Sequence, residues 1–315
     1  MGRRRPAGRP INGWLVIDKA PEMTSTHVVN VVKRLTQAQK VGHGGTLDPL
    51  ATGVLPIAMG EATKTVAYIM DARKAYQFTL RFGEARDTDD AAGAVIATSE
   101  LRPTDDQIRA ALPQFVGLIQ QVPPQYAAVK VSGERAYDIA RRGETVELAA
   151  REIRIDELEL VARRDPDRGE FRMSCGKGAY VRAIARDLGR LLGCEAHVEQ
   201  LRRTAVGPFN LDNAVSLDAL ARIVEDETLP QVLVPMTTAL AGIPALAVTE
   251  PQALRLRAGQ PVRVAPSLLG EAAGDPATVR AMRAGELIAL ARLEGVELSP
   301  MRVFQHGSMP IGNRE

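Results

Sequence analysis

Residues 42–57 read Gly-His-Gly-Gly-Thr-Leu-Asp-Pro-Leu-Ala-Thr-Gly-Val-Leu-Pro-Ile, and they set one carboxylate, Asp48, between a glycine-rich approach and an apolar run. Glycines at 42, 44 and 45 let the backbone take positive φ and come close to a ligand with no Cβ in the way. Pro49 biases Asp48 away from helix and toward an extended conformation. Asp48 is therefore expected to be presented rather than buried. A plain Asp-Pro turn between two elements would have the same local composition, so companions elsewhere in the chain must decide.

The elements that would position this loop are legible on both sides. Gly13 to Lys19 reads as a buried strand, and Thr24-Ser25-Thr26 supplies capping hydroxyls for a helix whose apolar side is Val28, Val29, Val31, Val32 and Leu35. After Asp48, Val54 to Met59 is apolar enough to be interior, and Glu61 to Met70 reads as a short helix. Gly60-Glu61-Ala62-Thr63-Lys64-Thr65 has Thr63 ahead of Lys64, so it lacks the Gly-Lys-Ser/Thr order of a phosphate-binding loop, and a nucleotide triphosphatase is rejected. Lys74 to Gly83 alternates with a period of two, as a half-buried strand does.

Further along, Asp87, Asp89 and Asp90 sit in a polar loop whose spacing does not match a calcium loop, which points to an exposed acidic turn. Thr104 opens a helix with a capping pattern. Residues 121–154 form a separate module, with a short helix expected over Ala136–Gly143 and strand-like Arg151–Ile155 closing it. Phe171–Cys175 reads as a strand, and Gly176-Lys177-Gly178 turns into a helix over Ala179–Leu192. Arg182, Arg186 and Arg190 recur on one face of that helix, a pattern that usually marks a solvated surface. Arg182, though, falls in the first turn beside Tyr180, where a ligand could come close. From about Pro244, short strand-like pieces alternate with Gly and Pro turns, which suits a small β-rich domain.

At 315 residues, with 45% apolar and 25% charged residues, the chain fits a globular protein of two domains. Cys175 and Cys194 show no metal-type spacing, no apolar run approaches the ~20 residues of a membrane span, and a cytoplasmic setting is expected. The net charge of +2 says little, but its distribution says more. Residues 172–205 carry seven Lys/Arg against three acids, residues 1–40 carry eight against two, and residues 84–106 carry seven acids against two basic residues. Basic faces beside an acidic patch suit a protein that meets a polyanion on one side.

Four segments, in this order, carry a resemblance: Gly42 to Gly53, Lys74-Ala75-Tyr76, Ala179-Tyr180-Val181-Arg182 and Leu201-Arg202-Arg203-Thr204. Together they resemble the TruB family of bacterial tRNA pseudouridine synthases, firmly over residues 11–210 and more loosely beyond. The resemblance implies an α+β pseudouridine synthase fold. Its central sheet would be mixed and mainly antiparallel, flanked by helices, with a small β-rich, PUA-like C-terminal domain. It implies a basic arm over 1–10, a catalytic domain over 11–243 with an RNA-clamping insertion at 121–154, and an RNA-binding domain over 244–315. The implied reaction turns the uridine at position 55, in the T-loop of tRNA, into pseudouridine after flipping it out.

Such chemistry needs a nucleophilic carboxylate and neither a cofactor nor a metal; an aspartate of ordinary acidity, about 3.9, is ionised at neutral pH. The resemblance assigns that role to Asp48, with attack on uracil C6 and on ribose C1′ both open. It further implies Arg182 as the ion-pair partner of Asp48, with Tyr76 and Tyr180 against the uracil. Tyr76 would also help remove the C5 proton. Leu201 would form an apolar wall, Lys64 a polar support, and His43 a hold on the opened loop. The partner is tRNA, with no membrane, no obligate protein partner and a monomeric state expected. Two departures from the family pattern stand out. Ala20 separates Lys19 from Pro21, and Ala85 replaces an expected Thr. The competing function is a tRNA-binding or tRNA-folding protein without dominant catalysis, against which an exposed carboxylate facing a polyanion argues. A hydrolase with paired carboxylates would need a second acid near Asp48, and none recurs there in a recognisable motif.

Overall fold

The computed structural model describes residues 8–127, 129–131, 134–135, 139, 142, 147–266 and 277–305. Most of the expected helix over Ala136–Gly143, most of the basic arm and the last ten residues lie outside the described residues. The first half of the chain contributes β1 (Gly13–Lys19), β2 (Val41–His43), β3 (Thr52–Met59), β4 (Lys74–Phe82), β5 (Glu84–Arg86), β6 (Val95–Thr98) and β7 (Gly117–Gln121). It is followed by β8 (Lys130–Val131), β9 (Glu134–Arg135), β10 (Arg151–Asp165), β11 (Arg168–Cys175), β12 (Ala196–Val206) and β13 (Phe209–Asn210).

The central sheet runs β1-β3-β12-β4-β11-β10-β7, with β2 added to β3 and β13 to β12. Every pairing in it is antiparallel except β12 on β3, so the sheet is mixed and mainly antiparallel. Alternation decides which side chains go inward. Leu15, Ile17, Leu55, Ile57, Phe78, Leu80 and Phe82 are buried on one face beneath helices Ser25–Thr36, Asp105–Ala111 and Val181–Leu191. Trp14, Val16, Val54 and Ala58 point the other way and pack with Ile69 and Phe209.

Several expected elements take a different extent. The helix expected over Glu61–Met70 starts as a 3-10 turn over Gly60–Thr65 and becomes α only at Val66. The strand expected over Arg151–Ile155 continues to Asp165. Register shifts at Ile155/Glu157 and Leu160/Ala162 break its period of two, which hides it from a pattern search. Two helix caps agree with the hydroxyl signals: Thr24 accepts from His27 N, and Thr104 closes a full capping box with Gln107.

The acidic loop after β5 is not an exposed turn. Asp89 ion-pairs with Arg186 at 3.2 Å, and Asp90 is only 6% exposed. The arginine face of helix Val181–Leu191 is correspondingly not solvated: Arg182 is buried, Arg186 is half-buried and only Arg190 is exposed. Complementary charge on two segments distant in sequence explains both corrections.

A second, five-stranded sheet is built from Ala245–Ala247, Val262–Arg263, Ala277–Arg283, Glu286–Glu294 and Glu297–Val303. Its β-rich character follows the Gly and Pro punctuation, with helix Glu250–Arg257 packed among the strands. Leu240, Leu287, Leu290 and Phe304 form a small cluster that joins this sheet to Tyr68 and Met236. Among the described residues no helix is long and apolar enough to cross a membrane.

Two measurements test this account. Gly53 has φ +98°, and a Cβ there would lie 2.2 Å from the Arg203 carbonyl oxygen, whereas one on Gly42 would meet nothing within 4 Å. Gly53→Ala is expected to cost about 2–4 kcal/mol in urea unfolding, the sum of a positive-φ penalty and a steric one. Gly42→Ala should lose less than about 0.5 kcal/mol, and equal effects would refute the close approach. Burial pushes the Asp89 carboxyl up to about 6 against the pull of Arg186. The folded state thus holds that proton more tightly than the unfolded chain. Asp89 therefore lowers stability as pH rises from about 4 to about 6, with no further change above that. Asp89→Asn should flatten this part of the stability curve; parallel curves would show that the carboxyl titrates normally.

Candidate active site

The loop between β2 and β3 carries Asp48, and the chain leading into helix Ser25–Thr36 fastens it together with a turn of its own. Ser25, at the start of its helix, accepts from Leu47 N at 2.8 Å and donates to Leu47 O at 3.1 Å. Glu22 N donates to Pro49 O at 2.8 Å, and Ala51 N to Asp48 O at 3.1 Å. The glycines divide their work. Gly45 has φ +134°, while Gly44 leaves no room for a Cβ, which would lie 2.7 Å from Ile69 Cγ2. Gly42 has no positive φ and no close neighbour, so the expectation that all three supply left-handed backbone holds for Gly45 alone. The result is a braced loop with the Asp48 side chain 37% exposed.

Arg182 Nη2 meets Asp48 Oδ2 at 2.9 Å. The arginine side chain is only 6% exposed, and it is held by Thr88 O at 3.1 Å, Tyr126 O at 3.0 Å and Asp90 Oδ2 at 3.6 Å. It sits in the first turn of helix Val181–Leu191, whose N-cap residue Tyr180 makes no side-chain cap. Gln121 takes over: its Oε1 accepts from Tyr180 N at 2.9 Å, and its Nε2 donates to Tyr180 O at 3.2 Å. One amide at the root of the 121–154 segment therefore sets the start of the arginine's helix.

Tyr76 on β4 and Tyr180 both sense the Asp48 charge; burial raises each phenol above its usual value. Tyr76 is half-buried, across the strand pair from Arg203, whose charge opposes the effect of burial on its phenol. His43 is half-buried, its Nδ1 accepts from Gly45 N at 3.4 Å, and burial followed by the Arg203 charge lowers its pKa. Leu201 is 8% exposed, opposite Phe78 on β4.

Lys64 is the exception. Its Nζ binds Glu61 at 2.6 Å and Val303 O at 2.7 Å, and it lies over the Phe304 ring. It thus fastens the second sheet instead of supporting Asp48, as the strand end from the C-terminal sheet outcompetes the site for its charge.

Four residues near the site went unassigned in the sequence. Lys19 is 1% exposed, gives its three protons to Ala20 O, Met23 O and Pro49 O, and is lowered to about 8, chiefly by burial. Its signal was present: it follows Leu15 and Ile17 on the inward face of a strand. Arg203 is 2% exposed and sits inside a quoted motif. Asp90 and Gln121 carried no signal, since only the fold brings them here. Among the described residues no three His, Cys, Asp or Glu side chains converge as they would around a metal ion. An open groove of about 580 Å³ beside the loop is lined by Leu50, Thr52, Phe78, Leu201 and Arg202. Asp48, Tyr76 and Arg182 do not line it.

Comparison with known proteins bears on the chain as a whole. Residues 33–181 match the TruB family pseudouridylate synthase N-terminal domain, and residues 182–241 match the tRNA pseudouridylate synthase B C-terminal domain. The tRNA pseudouridine synthase B of Gluconacetobacter diazotrophicus is 56% identical over 96% of this chain and 100% of that protein. The protein of the same name from Dinoroseobacter shibae is 51% identical over 98% of this chain and 100% of its own length. Among solved structures, a Cbf5-Nop10-Gar1 complex aligns with TM-score 0.72 at 24% identity over 93% of this chain and 85% of that one. An H/ACA RNP bound to a substrate RNA containing 2′-deoxyuridine aligns with TM-score 0.71 at 21% identity, over 97% and 92%. These two show the fold. The sequence relatives, at more than half identity over almost the whole length, show more: the chain belongs to the TruB family of pseudouridylate synthases.

Proposed function

We propose that the chain is a tRNA pseudouridine synthase that isomerises uridine 55 in the T-loop, with Asp48 as the nucleophile. The observation that carries this reading is the Asp48–Arg182 pair, a partly exposed carboxylate held at 2.9 Å by a guanidinium that is itself almost wholly buried. A carboxylate fixed this way keeps its geometry while one side stays open to substrate. In the reaction the N1–C1′ bond breaks, uracil turns, and C5 bonds to C1′. The C5 proton leaves and N1 gains one, so nothing is oxidised or reduced.

The target base is stacked in a folded loop and must be flipped out, at a cost of a few kcal/mol. His43 holds the opened loop, Tyr76 and Tyr180 pack against uracil, and Leu201 closes the apolar side. The cations Arg182, Arg203 and Lys19 surround Asp48, which suits a polyanion and the negative charge that builds on uracil. The 121–154 segment clamps the T-arm and the C-terminal sheet, a PUA-like module, contacts RNA. The enzyme works as a monomer in the cytoplasm.

The test uses tRNA labelled with tritium at uridine C5. The wild type should release tritium, Asp48→Asn should fall to background with RNA affinity kept, and Arg182→Lys should lose about 10²-fold in rate, as a displaced reacting group does. Tight binding without release by either protein would leave only a binding function, and free uracil would mean hydrolysis.

A further inference from the structure

Arg203 is a buried arginine of the site to which the proposed mechanism gives only a general share in its positive charge. It lies on β12 between two strands that serve the site. Its Cα partner on one side is Gly53, just past the Asp48 loop, and on the other it is Tyr76. Three of the five N–H groups of its guanidinium go to carbonyls: Nη2 to Gly45 O at 3.1 Å, Nη1 to Thr46 O at 3.1 Å, and Nε to Val54 O at 2.9 Å. Two of those carbonyls precede Asp48 and one follows it. The charge of the guanidinium and the Tyr76 phenol act on one another across the strand pair.

We propose, on the pseudouridine synthase reading, that Arg203 is a positioning residue which aims the Tyr76 hydroxyl and stabilises its anionic form. Tyr76 is thereby made the base that takes the C5 proton. Three features support it. Arg203 and Tyr76 are cross-strand partners on β12 and β4, so the phenol lies beside a guanidinium rigidly tied to the Asp48 loop. The carbonyl partners of Arg203 are neutral, so they orient its charge without cancelling it. Burial makes the Tyr76 anion costly, and the Arg203 charge opposes that cost. The other groups facing Tyr76 do not help: Asp48 adds to the cost, and Cys175, pushed up to about 12, stays a neutral thiol. Lys74 and Lys19, each lowered to about 8, feel Arg203 as a like charge.

The step balances. Tyr76 first loses its phenolic proton to solvent. Once C5 is bonded to C1′, the C5–H bond breaks and its electron pair restores the C5=C6 double bond. The proton passes to the phenolate oxygen and then to water.

The experiment measures single-turnover tritium release from C5-labelled tRNA against pH for wild type, Arg203→Met, Arg203→Lys, Tyr76→Phe and the Arg203→Met/Tyr76→Phe double variant. Phenolate absorbance of the RNA-free proteins, with the Tyr76→Phe spectrum subtracted, reads Tyr76 alone. Arg203→Met is expected to slow release by about 10²-fold, the lower end of what a positioned base contributes, with tRNA affinity unchanged. Its Tyr76 titration and the rising limb of its pH profile should both move upward by about one unit. Arg203→Lys keeps the charge, so its titration should stay near the wild-type value; if Arg203→Met does not fold, Arg203→Gln, neutral but still able to donate to the loop carbonyls, takes its place in each comparison. In the Tyr76→Phe background, Arg203→Met should add little further loss. Full additivity, or an unshifted Tyr76 titration in a folded protein whose residue 203 is neutral, would make Arg203 a structural brace only. Absence of release by the wild type would overturn the function itself, and the inference with it.

Discussion

A guanidinium taken out of water has to find acceptors for most of its N–H groups, or the fold loses more than the burial gains. Arg182 and Arg203 impose this requirement at the centre of the molecule, and much of the architecture answers it. Arg182 draws in the Thr88 carbonyl from the acidic loop, the Tyr126 carbonyl from the root of the 121–154 segment, and Asp48 itself. Arg203 draws in backbone oxygens on both sides of the Asp48 loop. The loop is thus held by the needs of two cations as much as by its own glycines.

The same constraint explains the electrostatic character of the site. Lys19, Arg182 and Arg203 outnumber Asp48 and Asp90, and the surplus is placed where water is scarce. Such an imbalance destabilises an empty protein, and it becomes useful when a charged chain and a reacting base fill the space. Burial is visible in the lowered ammonium of Lys19 and the raised phenol of Tyr76. Stability has been traded for a pocket that welcomes negative charge.

How much of this could be read in the sequence depended on whether a signal was local. The apolar run Gly13–Lys19, the alternating strand Lys74–Phe82 and the helices opened by Thr24 and Thr104 were legible because an apolar run, a period or a cap is a short-range feature. Strand Arg151–Asp165 was legible only up to its first bulge. Asp48 stood out by its glycines and Pro49, and Arg182 by its place after Tyr180. Asp90 and Gln121 did not, because their partners lie 92 and 59 positions away (Asp90 to Arg182; Gln121 to Tyr180). Lys64 was misdirected for the same reason: its partner Val303 is 239 residues distant. Charge that is paired across the fold is indistinguishable, in one dimension, from charge that faces solvent.

The parallel pairing of β12 on β3 carries a consequence for the newly made chain. β12 lies between β3 and β4, so the strands that follow and flank the Asp48 loop are not neighbours until a segment about 150 residues later has been inserted between them. Contacts of such long range close late, because the loop they span must be ordered first. A chain still leaving the ribosome therefore carries Asp48 and Tyr76 but no competent centre. Chemistry is withheld until most of the catalytic sheet exists, so an incomplete molecule has no means of modifying the RNA that surrounds its own synthesis.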